Sequence, residues 1–175
     1  MTVQVIRSSI CVTACLGLFF IVSSAVAATR NEHQVKASGV TELRENAGGT
    51  PVIVKLHTRT LSEDDSRRTG QLPGLACTGS RVPCSVLDGM SIQVQGEDVF
   101  VPKAAFIGLS DIVTASISGD KRKYVLRITG GDASEAYLVS LDFDGKQVLS
   151  RRVASPTEPN TPVEESTFHT VVVGD

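Results

Sequence analysis

Cys77 and Cys84 are the residues whose chemistry is easiest to name. They enclose Thr78-Gly79-Ser80-Arg81-Val82-Pro83, and the Gly and Pro suit a tight reversal. No His flanks either cysteine and the spacing is not Cys-x-x-Cys, so a structural disulfide is expected rather than a metal or redox pair. Closing so short a loop is worth about 2.5 kcal/mol in the chain-entropy model. It would also hold Arg81 on a clamped reversal, and a pre-ordered loop loses less entropy when it binds.

A second candidate is the turn Gly130-Gly131-Asp132-Ala133-Ser134-Glu135. Two glycines allow a sharp reversal, and Asp132 and Ser134 can satisfy loose backbone amides. The same residues suit a contact surface, with Gly130 and Gly131 letting a partner approach the backbone while Asp132, Ser134 and Glu135 offer acceptors. The expected partner-binding set is therefore Arg81, Gly130, Gly131, Asp132, Ser134 and Glu135. Of the three histidines, His33 lies in the lead-in, while His57 and His169 lie in expected strands far apart in sequence, and neither of these two sits at metal-ligand spacing from a Cys, Asp or Glu. No Gly-x-Ser-x-Gly, His-Glu-x-x-His or P-loop is present. Asp142-Phe143-Asp144-Gly145 lacks the remaining ligands of a calcium loop and fits a hairpin better. By motif there are no catalytic, cofactor-binding or metal-ligating residues.

Cys-Thr-Gly-Ser-Arg-Val-Pro-Cys, residues 77–84, resembles the reactive loop of Bowman–Birk protease inhibitors. It has one residue fewer between the cysteines, and Gly79 stands where those inhibitors place the side chain read by the protease. The resemblance covers eight residues and implies an inhibitor-like use of the loop. In gross plan the chain is also similar to small periplasmic lysozyme inhibitors, which is an architectural analogy without a matched inhibitory loop.

The segment ahead of these residues sets the compartment. In residues 1–27 Arg7 is the only charge, 10–22 are almost wholly apolar, and Ala25-Val26-Ala27 supplies the small residues signal peptidase accommodates. Cleavage between Ala27 and Ala28 is expected, because an apolar core of about 13 residues falls short of the roughly 20 a spanning helix needs. The product would be periplasmic or secreted, with no membrane attachment after cleavage. It would carry an oxidising environment for Cys77 and Cys84.

Cleavage changes what composition means. The chain has 175 residues, and the positive mean hydropathy of +0.09 owes much to the leader. Removing 1–27 leaves 148 residues; 16 basic against 19 acidic side chains make a charge of −3. No basic excess exists to hold nucleic acid. A domain of this size buries roughly 70% of its unfolded surface and can stand alone.

The elements that must position the candidates are strands. Residues 28–50 are polar with few large aliphatic side chains, which predicts a flexible lead-in with at most a weak strand or helical turn. Residues 51–60 alternate, with Val52, Val54 and Leu56 facing one way and Ile53, Lys55 and His57 the other. Residues 61–89 have no sustained period and predict a long disulfide-clamped loop ending at an Asp88-Gly89 turn. Short strands are expected at 91–94 and 98–101, then one short helix within 102–109. Residues 112–118, 123–129, 135–143 and 146–153 form a meander, with a type I′ turn at Asp144-Gly145. Tyr124, Leu126 and Ile128 share one face, as do Tyr137, Val139, Leu141 and Phe143. Residues 155–164, with three prolines, predict an extended connection before a last strand at 167–173. The expectation is a mainly β single domain over 51–175: a small antiparallel β-sandwich or partly open barrel of about 7–9 strands with at most one short helix. Function is expected to be that of an exported non-catalytic binding module for a protein partner, with inhibitor-like action as one form of it. The alternatives are an envelope assembly factor that pairs by an edge strand, and a small hydrolase whose Ser, His and Asp meet only in three dimensions.

Overall fold

The computed structural model describes residues 31–62, 64, 83–131 and 133–170. Ten strands form two antiparallel sheets packed as a β-sandwich. The strands are β1 (His33–Gln34), β2 (Gly39–Ala47), β3 (Thr50–Leu61), β4 (Cys84–Val94), β5 (Glu97–Val99), β6 (Ile112–Gly119), β7 (Tyr124–Gly130), β8 (Tyr137–Phe143), β9 (Val148–Ala154) and β10 (Pro162–Thr167). The larger sheet has the order β1-β6-β7-β8-β9-β10 and the smaller β2-β3-β4-β5.

Period-2 alternation decides which side of each strand faces the partner sheet. Val52, Val54 and Leu56 of β3 are fully buried, as are Leu126 and Ile128 of β7 and Val139, Leu141 and Phe143 of β8. Tyr124 and Phe143 pair across strands with ring centroids 5.4 Å apart. These expected faces form the core, and Leu43, Ile92 and Ile117 complete it from neighbouring strands.

Several boundaries differ from the sequence expectation. The lead-in is structured where it is described: β2 runs nine residues against β3 and inserts Thr41, Leu43 and Ala47 into the sandwich. Gly48 and Gly49, at φ +59° and +86°, close the β2–β3 hairpin, where left-handed backbone matches strand twist. Asp88-Gly89 is not a turn. It lies within β4, where the register against β3 slips by one residue at a bulge. β3 thus reaches Leu61 and β4 starts at Cys84, and most of the residues between them lie outside the described residues. The helix expected within 102–109 is a single 3-10 turn at Lys103–Ala105.

The hairpin at Asp144-Gly145 exists, but neither residue has positive φ. The Asp144 carboxylate accepts the amides of Lys146 and Gln147 at 2.7 and 2.8 Å, so a four-residue loop with a side-chain clasp replaces the type I′ turn. The type I′ geometry falls instead at Gln95-Gly96, φ +56° and +87°. The last described strand begins at Pro162, inside the expected connection, and ends at Thr167, where the final strand was expected to start. Proline is tolerated there because it opens an edge strand.

Two flanks sew the sheets together. Phe100 bridges to Gln147, donating its amide to the Lys146 carbonyl at 2.8 Å and accepting from the Val148 amide at 3.0 Å. Val86 of β4 bridges to Ser110 just ahead of β6. These links restrict sliding of the two layers and give the larger sheet a fixed outer face.

Candidate functional site

The outer face of the larger sheet is built from the residues that alternate with the core. Register aligns them in rungs across the strands. One rung runs Thr114, Thr129, Leu138, Ala154; the next runs Ser116, Arg127, Ser140, Arg152, Glu165. A third holds Ser118, Val125, Asp142 and Ser150. Neighbouring strands lie about 4.8 Å apart, so Arg127 and Arg152 flank Ser140 at roughly that spacing on either side.

An outward face of a sandwich normally meets water. Here Ser116 is only 6% exposed and Ala154 only 5%. Residues 155–161, the connection between β9 and β10, bring Pro156, Pro159 and Asn160 to this face. The shape of the connection is set by prolines and by internal bonds: the Glu158 amide donates to the Ser155 carbonyl and the Thr161 amide to the Glu158 carbonyl, both at 3.1 Å. Two adjoining cavities lie beneath it. One, about 150 Å³, is lined by Arg127, Leu138, Ser140, Arg152 and Ala154 with Pro159, Asn160 and Pro162. The other, about 230 Å³, is lined by Glu32, Thr114, Ser116, Arg127, Thr129 and Leu138 with Pro156 and Pro159. Together they fall at the lower end of the roughly 300–1,000 Å³ range of small-ligand sites.

The floor is polar and ordered. The Thr114 and Thr129 hydroxyls are 2.6 Å apart. Arg152 donates through Nη2 to Asp142 Oδ2 at 2.8 Å, and the Ser150 hydroxyl donates to the same oxygen at 2.9 Å. The neighbouring arginine, Arg151, points the other way, as successive strand residues must. It is 6% exposed on the inner face and pairs with Glu164 of β10.

The expected site residues are not gathered at this chamber. Arg81, Cys77 and Asp132 lie outside the described residues. Gly130 ends β7, and its missing Cβ has a neighbour within the fold rather than a partner: a Cβ there would stand 2.4 Å from the Tyr137 hydroxyl oxygen. That hydroxyl donates to the Ser110 carbonyl at 2.6 Å, and burial holds the phenol well above its ordinary pKa of 10.0. The Gly131 amide donates to the Asp111 carbonyl at 3.0 Å. Ser134 lies in the 3-10 turn Ala133–Glu135, and Glu135 is half-buried. At Gly130, then, the Tyr137 ring takes the space that a Cβ would occupy.

The histidines do not converge. His33 Nε2 lies 2.8 Å from Glu45 Oε1 between β1 and β2. His57 is exposed on the outer face of the smaller sheet, and His169 is exposed beyond β10. Among the described residues no three His, Cys, Asp or Glu side chains group to hold a metal. Among them too, no helix is long and apolar enough to cross a membrane.

A wider concavity of about 640 Å³ lies at the hairpin end, lined by Gly48 and residues 120–123. It is open to solvent. The Asp120 carboxylate there is held below its ordinary pKa by the Arg122 and Lys123 amides, so it serves its own turn. The roofed face is better enclosed and carries more convergent polar groups.

No protein-family model, curated protein or solved structure matches the chain. The functional reading therefore rests on the geometry of the sandwich and its covered polar face.

Proposed function

We propose that the chain is an exported, non-catalytic binding module that engages a protein partner through the covered polar face of its larger sheet. The observation that carries this reading is the near-complete burial of outward-facing Ser116, on a face whose cavity is lined also by Pro156 and Pro159. Enclosing hydroxyls and a guanidinium outside the core costs desolvation and adds no hydrophobic stabilisation, which suits a site kept for recognition. Export to the periplasm or medium, with a cut between Ala27 and Ala28, remains the sequence's contribution. So does the Cys77 to Cys84 disulfide, supported by a Cys84 sulfur that is not a free thiol and is 3% exposed.

The edge-strand alternative concerns the final strand expected at 167–173, of which 171–173 lie outside the described residues, and the described edge strand lends it less support. β10 is a sheet edge, but it opens with Pro162, carries a register shift, and displays Glu164 and Glu165. Those features oppose edge-to-edge pairing. The hydrolase alternative has no convergent histidine in its favour among the described residues.

The test uses the full chain exported from a bacterial host. Its N-terminus should be Ala28, and mass spectrometry without reductant should find one disulfide; an uncut cytoplasmic product with two free thiols refutes the compartment. A photo-crosslinking residue at Ser140 should yield discrete protein adducts that the same residue at Val40, exposed on the other sheet, does not. Identical adducts from both positions, or none from Ser140, refute the assignment of the face.

A further inference from the structure

Topology brings the hairpin turns of both sheets to one end of the sandwich. The Gln95 amide donates to the Pro51 carbonyl at 2.9 Å, which sets the β4–β5 turn beside the β2–β3 turn. A Cβ on Gly48 would stand 2.7 Å from the Asp120 Cα, so the β2–β3 turn abuts the β6–β7 turn. The β6–β7 turn carries Lys121, Arg122 and Lys123, all exposed. We infer that the concavity between Gly48 and residues 120–123 receives an acidic extended segment of a protein, held by Lys121, Arg122 and Lys123. This surface goes beyond the covered face: the rung Ser118, Val125, Asp142, Ser150 lies between the two.

Three observations carry the inference. The first is uncompensated charge. Arg44 and Lys55 meet Glu42, Arg59 meets Asp88, Arg151 meets Glu164 and Arg152 meets Asp142. Among the described residues Lys121, Arg122 and Lys123 enter no salt bridge. Asp120 is the one carboxylate lining the concavity with them, so three cations face one anion on a chain that is acidic after cleavage. On the next turn of the larger sheet Lys146 and Asp144 cancel, and Glu97 stands on β5, two strands beyond β3. A local positive excess on an acidic chain selects an acidic partner surface.

The second is where the donors are. The Asp120 carboxylate accepts the Arg122 and Lys123 amides at 3.0 and 3.2 Å. Those amides are spent, so the turn offers no backbone nest for a single small anion. Attraction comes from three successive side chains, which do not converge on one point. A chain bearing several carboxylates can meet them together. The third is shape. The concavity holds about 640 Å³ and lies between the ends of the two layers. A chain can enter such a recess, whereas a flat bilayer meets only the tips of the turns.

The experiment titrates the exported full chain with a short oligo-glutamate, using oligo-glutamine as the control, and follows amide signals by NMR. Oligo-glutamate should shift Gly48 and residues 121–123 while Ser140 stays fixed, and the shifts should vanish as salt is raised from about 0.05 to about 0.5 M. Lys121→Gln, Arg122→Gln and Lys123→Gln should each weaken binding roughly 2- to 5-fold, as exposed charge pairs do, and the triple variant roughly 10-fold or more. The turn tolerates these changes, because its bonds run to the two amides and from the Tyr124 hydroxyl to the Lys121 carbonyl at 3.3 Å. Lys103→Gln, an exposed cation on the 3-10 turn, should leave affinity unchanged. Equal binding of oligo-glutamine, unchanged affinity in the triple variant, or equal weakening by Lys103→Gln overturns the inference. So does binding to phosphatidylglycerol vesicles without binding to oligo-glutamate, which would make the turn a lipid contact. The Ser140 crosslink reports the covered face alone, so failure of either surface is read separately.

Discussion

Replacing Gly130 with alanine puts a Cβ 2.4 Å from the Tyr137 hydroxyl oxygen and 2.5 Å from its Cζ. Real Cβ atoms do not approach so closely, so the ring or β7 must move. The backbone itself accepts alanine, because Gly130 is not among the positive-φ glycines. With an empty neighbourhood the substitution would stabilise by about 0.5–1 kcal/mol, since glycine is a poor strand residue. With Tyr137 in the way it incurs overpacking of about 1–3 kcal/mol. It also strains the 2.6 Å bond to the Ser110 carbonyl, and a buried hydroxyl that loses its acceptor costs about 1–3 kcal/mol more. The expected net is a destabilisation of about 2–4 kcal/mol, or a Tm lower by roughly 5–15 °C for a domain of this size. Urea and thermal unfolding of Gly130→Ala, Tyr137→Leu and the double variant measure it. Leucine removes the obstructing ring, so Gly130→Ala should cost far less in that background, with a coupling of about 1–3 kcal/mol. A stabilised single variant, or strict additivity in the cycle, refutes the packing account and returns Gly130 to the candidate contact residues.

Two further outcomes follow from buried groups. Arg151 is a guanidinium on the inner face whose Nε has no hydrogen-bond partner, and Glu164 balances it from a partly exposed position on β10. Glu164→Gln should cost about 1–2 kcal/mol in urea unfolding, while Arg151→Met should stay within about 1 kcal/mol of wild type; a costlier Arg151→Met refutes this ordering. Tyr137 has its folded pKa raised by burial above the ordinary 10.0. The unfolded chain therefore releases that proton first, so its contribution is complete below pH 10 and lost as pH rises beyond it. The urea midpoint should decline in that alkaline range less steeply in Tyr137→Phe than in wild type, and parallel declines contradict the assignment.

Particular residues explain what was legible in the sequence. β7, β8 and the middle of β3 are visible because their inward positions hold Val, Ile, Leu, Tyr or Phe at period 2, as in Val52-Val54-Leu56, whereas β6 and β9 carry the pattern with Ala115 and Arg151 interrupting it. β2 has only Leu43 as a large inward side chain, beside Thr41 and Ala47, so hydrophobicity alone cannot announce it. Its signal was the Gly48-Gly49 hairpin pair. β10 contributes no buried side chain and is held by its ladder to β9 and the Arg151–Glu164 pair, which leaves no apolar pattern to detect. The opposed faces of Arg151 and Arg152 were legible, because adjacent strand residues cannot share one.

The chamber was hidden for a different reason. Alternation assigns Ser116, Arg127, Thr129 and Ser140 to the outside, but it cannot say whether the outside is water. That is decided by residues 155–161, whose prolines suggest a connection and carry no information about the strand they will cross. Their reach over the sheet follows from β9 and β10 being adjacent antiparallel neighbours, which returns the connection to the edge of the face it covers. The sandwich and the chamber thus depend on different residues. The core is specified by inward side chains that the connection does not supply, whereas enclosure of the polar rung depends on the connection. Selection for a binding surface could act on residues 155–161 and the outward rung without disturbing the fold, since loops absorb such change more readily than packed strands.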